Sequence, residues 1–446
     1  MAQQITSNNQ LTSLVSLITL SVQEVLAVYA STGQGIPSLD SVEPGPFDGP
    51  VENTPDRLVR AVKTIEAACT QLICTVSNPS GVVYNKANTQ HEPACLLLVT
   101  DARIADFLVD KPEGMHVKQL AEASGFNDSD KLGRAMRLLA TRHVFREVKP
   151  DVYANNRLSV KLISKKPMAD LVALITEEGL LASARLNETY TTEPRMLHET
   201  AFQRATGYGL FDWYKLPENR KRQERFQRAM MAWGDVYGKG FLSKAYPWKQ
   251  YPSGYTISDI AGGTGHVTMD LLKKNPHFKV ILQDQQEVIQ QAKEFWAKEY
   301  PQAIAESKVE FVPFNFFKDK AIEGCDMYYA FCNHDWSDAD CLTILRNVRN
   351  AMKPGARLII HEIVIRSAAR SDSAHQDEDE IAPEPLLPNW GAWAARTYEA
   401  DIAMMKLFNA RERTLEEFTL LCEKSDLQFT KMYPAGEMDL IEFIPV

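Results

Sequence analysis

The stretch Asp259-Ile-Ala-Gly-Gly-Thr-Gly265 decides the fold of the C-terminal half of this chain. It ends a predicted strand, Thr256 to Ile260, and precedes a helix predicted to start near Val267. A strand that runs through a glycine-rich turn into a helix is typical of a parallel sheet that binds a ligand beyond the carboxyl ends of its strands. The glycines that let the backbone pass close to such a ligand are Gly262, Gly263 and Gly265.

Two carboxylates near this turn indicate what kind of ligand it binds. Asp284 follows about twenty positions later, at the end of the second predicted strand, where a carboxylate accepts from both hydroxyls of a ribose. Asp259 precedes the glycines, where it would repel a pyrophosphate but can face a cationic amino-acid group. No Walker lysine follows the glycines. The pattern favours S-adenosylmethionine over a phosphate-rich nucleotide.

Beyond Tyr255 the sequence alternates between predicted strands and helices, which indicates an α/β fold with a doubly wound parallel sheet. The predicted strands are Thr256 to Ile260, Lys279 to Gln283, Val309 to Pro313, Asp326 to Phe331 and Arg357 to Ile365. The stretch from Arg370 to Pro388 is rich in Asp, Glu, Ser, Ala and Pro. We expect it to be a mobile surface loop.

The first ninety residues contain two helical patterns, Leu11 to Ala30 and Pro55 to Val76, separated by Gly- and Pro-rich loops. The first pattern is apolar, but Ser and Thr interrupt it and it contains Gln23 and Glu24, so we interpret it as an amphipathic helix. Few charges lie on the apolar faces of either helix. These faces predict a packing partner such as a second subunit.

The stretch from Ala94 to Ser164 has the order of a winged helix. A short helix from Val117 to Ala123 precedes a helix that begins at Ser129, capped by Asp128 or Ser129, and two short strands, His143 to Val148 and Val152 to Ala154. Between Lys131 and Lys161 the sequence is basic, with eight basic residues against two acidic ones: Lys131, Arg134, Arg137, Arg142, Arg146, Lys149, Arg157 and Lys161 against Glu147 and Asp151. DNA binding is one interpretation. A solvated face on a dimerisation module is the favoured one.

Length and composition set the outer limits. With 446 residues, 45% hydrophobic and 24% charged, the chain is long enough for two domains, which we predict at 1–195 and 196–446. The net charge of -9 disfavours nucleic acid and membrane partners. The first basic residue is Arg57, so no signal peptide is expected and the predicted location is the cytoplasm. Seven cysteines without a CxxC pair predict neither disulfides nor zinc.

Two further motifs carry a family resemblance. Asn333-His-Asp-Trp-Ser-Asp338 and Asn409-Ala-Arg-Glu-Arg-Thr414 resemble the catalytic segments of the plant-type O-methyltransferase family, particularly its fungal branch that methylates phenolic metabolites. The resemblance extends from about Leu11 onward. It implies a Rossmann-like class I methyltransferase domain behind an N-terminal α-helical winged-helix dimerisation domain, with S-adenosylmethionine as cofactor and a homodimer as the assembly.

The resemblance also implies roles for individual residues. His334 would be the general base, flanked by Glu362 and Glu412. The residues implied to hold the cofactor are Asp259, Gly262, Gly263, Gly265 and Asp284, with Asn315 and Phe316 beside the adenine. The residues implied to line the acceptor pocket are Phe226, Met230 and Asn409.

Simple chemistry supports the base assignment. A phenol has a pKa of about 10, so a positioned base that removes its proton contributes roughly a hundredfold to ten-thousandfold. A histidine suits this task, because flanking carboxylates fix its tautomer and stabilise the imidazolium. The reaction requires no metal.

The chain departs from the family pattern in three places. Ala261 replaces the first glycine of the turn, which we expect to be tolerated if its φ stays negative. Asn315 replaces an aspartate. Asp326 and His334 are eight positions apart instead of nine, so either the strand end is rebuilt or methyl transfer is impaired. The alternatives are therefore an enzyme of this fold that catalyses a pericyclic or dehydration step with bound cofactor, and a winged-helix DNA-binding regulator.

Overall fold

The computed structural model describes residues 2–196, 198–370 and 381–446, which contacts divide into two compact units. The first unit comprises Met1–Val236 and Ser367–Ala395, and the second comprises Tyr237–Arg366 and Arg396–Val446. The predicted boundary between residues 195 and 196 falls inside the first unit. It stays a prediction about sequence domains.

The first unit is mainly helical. Its helices are α1 (Ala2–Ser31), α2 (Asp56–Val76), α3 (Pro79–Asn88), α4 (His91–Asp101), α5 (Ile104–Phe107), α6 (Val117–Ser124), α7 (Ser129–Thr141), α8 (Pro167–Ser183), α9 (Leu186–Thr191), α10 (Ala201–Thr206), α11 (Leu210–Tyr214) and α12 (Arg220–Tyr237). Its strands are β1 (Met115–His116), β2 (Arg146–Lys149) and β3 (Val152–Ala154), which pair antiparallel in the order β1-β3-β2.

The predicted winged helix is confirmed. Asp128, one of the two predicted caps, accepts hydrogen bonds from the backbone amides of Asp130 and Lys131 at the start of α7. Helices α6 and α7 and the small sheet enclose one apolar core, in which Leu120, Leu132, Met136 and Tyr153 are fully buried.

Helix α1 packs along α2 through one apolar stripe. Leu14 and Val28 are 1% exposed, whereas Leu20 and Leu26 on the remaining surface are 63% and 53% exposed. Residues Asn9–Ser31 are long and apolar enough to span a membrane by length and composition alone. The buried stripe shows that α1 packs as part of the first unit.

The predicted surface loop, Arg370 to Pro388, is irregular in its described part but partly buried. Residues 371–380 lie outside the described residues, but Ala382, Leu386 and Trp390 are 1–3% exposed and pack with Leu14 and the alanines of α2. Gln71 Nε2 donates to Pro385 O over 2.8 Å, and Lys63 Nζ lies 4.5 Å from the Trp390 ring centroid. The acidic and proline-rich composition hid this apolar pattern.

The second unit is a seven-stranded sheet flanked by helices. Its strands are β4 (Thr256–Ile260), β5 (Lys279–Asp284), β6 (Val309–Pro313), β7 (Met327–Ala330), β8 (Arg357–Glu362), β9 (Leu427–Ala435) and β10 (Met438–Pro445). Its helices are α13 (Leu242–Ala245), α14 (His266–Lys274), α15 (Gln286–Glu299), α16 (Pro301–Ala305), α17 (Asp338–Ala351), α18 (Ala395–Phe408) and α19 (Leu415–Glu423).

The strand order is β6-β5-β4-β7-β8-β10-β9. The five strands β4 to β8 pair parallel, close to the positions predicted, but β10 pairs antiparallel with both β8 and β9. The sheet is therefore mixed, and the all-parallel prediction is corrected by this C-terminal hairpin. The Rossmann-like class I methyltransferase fold is confirmed.

Burial on both faces explains why the central strands are apolar. Every residue of β7 is buried, and Tyr328 and Leu358 join Leu345 and Phe418 in the core of one face. Parallel pairing brings the carboxyl ends of β5, β4, β7 and β8 to a single edge. The glycine turn, Asp284 and Glu362 therefore lie along that edge.

Candidate active site

Asp259 lies on the inner side of the glycine turn. It is 2% exposed, and its Oδ2 accepts a hydrogen bond from Thr268 Oγ1 over 2.6 Å. Burial raises its pKa to about 7. A Cβ at Gly262 would lie 2.4 Å from Asp259 Cγ, so the carboxylate packs directly under that glycine. Asp259 thus supports the turn from within, and direct contact with a cationic cofactor group stays a prediction.

Gly263 and Asp284 connect the first two strand ends. The Gly263 amide donates to Asp284 Oδ2 over 2.8 Å, and the Gln285 amide donates to Oδ1 over 2.7 Å. Burial raises the pKa of Asp284. A Cβ at Gly263 would meet nothing within 4 Å, whereas one at Gly265 would lie 2.9 Å from both Leu282 and Trp296. The turn is therefore packed at Gly265 and open at Gly263.

Ala261 does not keep a negative φ. Its φ is +55°, so the expected condition for tolerating this residue is wrong. The left-handed conformation costs an L-residue about 1 to 2 kcal/mol, because Cβ approaches the following carbonyl. At this position, where the family has glycine, the backbone thus keeps a left-handed conformation although the residue is an alanine.

Asn315 and Phe316 follow β6. Asn315 Oδ1 accepts from the Phe317 amide over 3.0 Å, and the Asn315 amide donates to Asp319 Oδ2 over 2.8 Å. The half-buried Phe316 ring packs edge-on against Trp336, with centroids 5.5 Å apart. Both side chains have structural partners, and their placement beside an adenine stays a prediction.

His334 and Glu362 form the shortest polar contact of the predicted catalytic set. His334 Nδ1 lies 2.5 Å from Glu362 Oε2, and Glu362 Oε1 accepts from the Asn333 amide over 2.7 Å. The Glu362 side chain is 0% exposed and that of His334 is 15% exposed. His334 Nε2 lies 3.7 Å from Asp335 Oδ1. One ring nitrogen is therefore held by a fully buried carboxylate.

Glu412 completes the predicted set. His334, Glu362 and Glu412 each have one side-chain nitrogen or oxygen atom in this cluster, and these three atoms lie within 4.8 Å of one another. Glu412 is 5% exposed, and within the described residues its Oε2 has no hydrogen-bond partner. Burial, followed by the nearby carboxylates of Glu362 and Asp401, raises the pKa of Glu412 to about 8, against the opposing effect of His334.

The electrostatics around His334 favour its protonated form. Burial by itself opposes the charge, but the carboxylates of Glu362 and Asp335 outweigh burial and raise the pKa of His334 well above its ordinary value. The site is thus arranged to stabilise an imidazolium, which is what a base becomes when it has taken a proton.

The same three side chains have atoms of a kind that a metal ion accepts. Two ligands held about 2.0 to 2.2 Å from a tetrahedral zinc ion must themselves lie more than 3 Å apart. In the structure His334 Nδ1 and Glu362 Oε2 are 2.5 Å apart, so these two atoms are hydrogen-bonded to each other.

The shortened spacing before His334 is accommodated at the strand end. Strand β7 ends at Ala330, and a 3-10 turn, Asn333–Asp335, carries His334. The imidazole still reaches Glu362 at the end of β8. Of the two expectations for this departure, the geometry favours the rebuilt strand end.

The predicted acceptor residues belong to different units. Phe226 and Met230 belong to α12 of the first unit, where they pack against Leu171 and Leu174 of α8. Asn409 is exposed and has a φ of +55°, the left-handed conformation that commonly ends a helix, directly after α18. These three residues stay predictions for acceptor binding.

Sequence reasoning missed two polar residues beside the catalytic set. Arg413, which is 1% exposed, donates to the carbonyl oxygens of Asn333 and Trp336. Asn333 is 2% exposed, and its side-chain amide has no partner in the part of the chain that the structure describes. Both lie inside the two quoted motifs, but the motifs alone do not show which way a side chain points.

Three features of this sheet define a class I methyltransferase: the glycine turn, the aspartate at the end of the second strand and the histidine that is hydrogen-bonded to a buried carboxylate. The family model of the O-methyltransferase domain matches residues 190–427, and that of the O-methyltransferase dimerisation domain matches residues 85–165. The 3-O-methyltransferase 2 of Phanerochaete chrysosporium is 43% identical and covers 97% of each chain. The chain belongs to the O-methyltransferase family, as the motifs predicted.

Solved structures share the fold. One is an O-methyltransferase from neocarzinostatin biosynthesis in complex with S-adenosylmethionine and 2-hydroxy-5-methyl naphthoic acid, with a TM-score of 0.61 and 18% identity over 80% of this chain and 96% of its own. Another is described as a pericyclic reaction enzyme, with a TM-score of 0.67 and 20% identity over 86% and 94%. At these identities they show the fold alone.

Proposed function

We propose that this O-methyltransferase transfers the methyl group of S-adenosylmethionine to a hydroxyl of a small phenolic or polyketide-like acceptor, with His334 as the general base. The observation that carries the proposal is the 2.5 Å contact between His334 Nδ1 and Glu362 Oε2. It assigns the proton to Nδ1 in the neutral ring, so Nε2 keeps the lone pair that accepts the acceptor's proton.

Glu362 and Glu412 then stabilise the product of that proton transfer. The imidazolium donates through Nδ1 to a carboxylate that is 0% exposed and is itself held by the Asn333 amide. Burial raises the pKa of Glu412 to about 8, and the positive charge of the nearby imidazolium favours the ionised carboxylate. When bound, S-adenosylmethionine supplies an electrophilic sulfonium methyl that needs only alignment with the phenolate.

The strand ends suit this cofactor. The open side of Gly263 leaves room for a ligand against the backbone, because no protein atom lies within 4 Å of the position that a Cβ would take. Asp284 stands at the adjacent strand end, and a carboxylate with two amide donors still has lone pairs for the hydroxyls of a ribose. We assign cofactor binding to this edge.

We further propose that the chain acts as a homodimer. Its dimerisation-domain match covers residues 85–165, and the first unit exposes apolar side chains on several helices. These side chains include Leu20, Leu26, Ile73, Val83 and Tyr84, each more than half exposed. Light scattering should give twice the mass of the chain for the wild type. A monomer at working concentration would contradict this part of the proposal.

The experiment that tests the activity is incubation with methyl-labelled S-adenosylmethionine and a panel of phenols. We expect label in an aryl methyl ether and stoichiometric release of the demethylated cofactor. Conversion of an acceptor without incorporation of label would instead support a non-methylating pericyclic or dehydration step.

A further inference from the structure

Arg413 is a buried charge that the proposed chemistry does not use. Its Nη1 donates to Asn333 O over 2.8 Å, and its Nη2 donates to Trp336 O over 2.8 Å. These two carbonyls lie on either side of His334 and Asp335. A single guanidinium therefore holds both ends of the short turn that carries the imidazole.

The main chain of Arg413 is joined to the strand that carries Glu362. The Ile365 amide donates to Arg413 O over 2.9 Å, and Val364 forms a parallel bridge with Arg413. Glu362 ends β8 two residues before Val364, and Glu412 directly precedes Arg413. The chain segments that carry His334, Glu362 and Glu412 thus all meet at one residue.

The charge of Arg413 is balanced outside the catalytic set. Asp338 Oδ1 accepts from Nε over 3.1 Å and from Nη2 over 2.8 Å, and the Asp338 side chain is 54% exposed. With the Arg411 carbonyl oxygen, which lies 3.5 Å from Nη1, four acceptors surround the planar guanidinium, an arrangement that a lysine cannot reproduce with its single ammonium. The contacts of Arg413 therefore depend on the planar shape of the guanidinium as well as on its charge.

Arg411 offers a contrast two residues away. Its side chain is 46% exposed, and it pairs with Glu417 over 2.7 Å and lies 3.7 Å from Asp338. It has the same charge and the same aspartate nearby, but within the described residues its side chain forms no hydrogen bond with the His334 turn.

We propose that Arg413 is a positioning residue, which fixes the His334 turn against Glu362 and Glu412 through its two carbonyl contacts. The expected effect on turnover rests on the proposed function, whereas the expected effect on the position of the imidazole does not. Loss of the fork lets the turn shift, and a displacement of about 1 Å at a reacting group costs about a hundredfold in rate.

The test compares Arg413→Lys with Arg411→Lys in the full-length enzyme. We expect Arg413→Lys to lower kcat by about tenfold to a hundredfold with unchanged cofactor affinity, the range typical of residues that orient a catalytic group. We expect Arg411→Lys to match the wild type. A titration of 15N-labelled histidine rings, with the His334 signal assigned from His334→Ala, should show a lower pKa of His334 in Arg413→Lys because its contact with Glu362 loosens.

Two results would overturn the inference: wild-type turnover in Arg413→Lys, or reduced turnover with an unshifted His334 titration, which indicates a merely structural role. If Arg413→Lys does not fold, Asp338→Asn tests the same interaction by weakening the contact of Asp338 with the guanidinium. An unshifted His334 titration in Asp338→Asn would also count against the inference. A shifted titration in Arg413→Lys, together with normal turnover in His334→Ala, would keep the positioning role and reject His334 as the base.

Discussion

His334 Nδ1 lies 2.5 Å from Glu362 Oε2, and that carboxylate is completely buried. The pair joins a turn after β7 to the last residue of β8, so two neighbouring strand ends fix the orientation of the imidazole. A buried carboxylate in this position sets the tautomer and stabilises the charge that forms on the ring.

Glu362→Gln should therefore impair catalysis without affecting the fold of the sheet. The amide can donate to Nδ1 and so select the wrong tautomer, for which we expect kcat to fall by about a hundredfold to ten-thousandfold. Steady-state kinetics with saturating cofactor measures this. Turnover within about threefold of wild type would mean that Glu362 does not orient the base.

The pH dependence of kcat/KM should report His334. Only the neutral imidazole accepts a proton, and Glu362 and Asp335 raise the pKa of His334 despite its burial. Activity should then rise with pH, with the acidic limb above the ordinary histidine value of about 6.5.

Glu412→Gln should move the part of this acidic limb near and above pH 8 to lower pH, because ionised Glu412, whose own pKa is raised to about 8, raises the pKa of His334 and the amide cannot ionise. Glu416→Gln is the matched control, since Glu416 is exposed on α19. A limb that stays in place or moves to higher pH in Glu412→Gln would contradict the coupling between Glu412 and His334.

Ala261→Gly should stabilise the protein. It removes a left-handed cost of about 1 to 2 kcal/mol, offset by about 0.5 to 1 kcal/mol from the greater freedom of glycine in the unfolded chain. Ala292→Gly, in the middle of α15, should instead destabilise by about 0.5 to 1 kcal/mol. Urea unfolding of both variants measures this, and a loss of stability in Ala261→Gly would contradict the strain assigned to that residue.

The glycines of the turn should differ in how strongly their substitution affects cofactor binding. A Cβ at Gly265 meets Leu282 and Trp296, so Gly265→Ala should cost about 1 to 3 kcal/mol of folding free energy. Gly263→Ala meets no protein atom but places an L-residue at a φ of +60°, so it should cost about 1 to 2 kcal/mol of folding free energy and, in addition, weaken S-adenosylmethionine binding by calorimetry. Unchanged affinity in Gly263→Ala would remove that glycine from the cofactor site.

The sequence predicted most of this sheet because buried parallel strands are continuous apolar runs that alternate with helices. It missed the hairpin of β9 and β10, whose antiparallel pairing with β8 depends on contacts distant in sequence. The positive φ of Ala261 was missed for the same kind of reason: a dihedral angle follows from how a turn closes. The burial of Ala382 and Leu386 was hidden by the acidic and proline-rich composition around them, and the proposed role of Arg413 depends on the direction of its side chain.

The central claim is that His334 removes the proton of the acceptor. The most direct measurement is single-turnover methyl transfer by His334→Ala, with S-adenosylmethionine affinity measured on the same sample and the exposed His91→Ala as control. We predict that transfer falls by about a hundredfold or more while cofactor affinity and the control stay at wild-type levels. Wild-type transfer by His334→Ala would contradict the account.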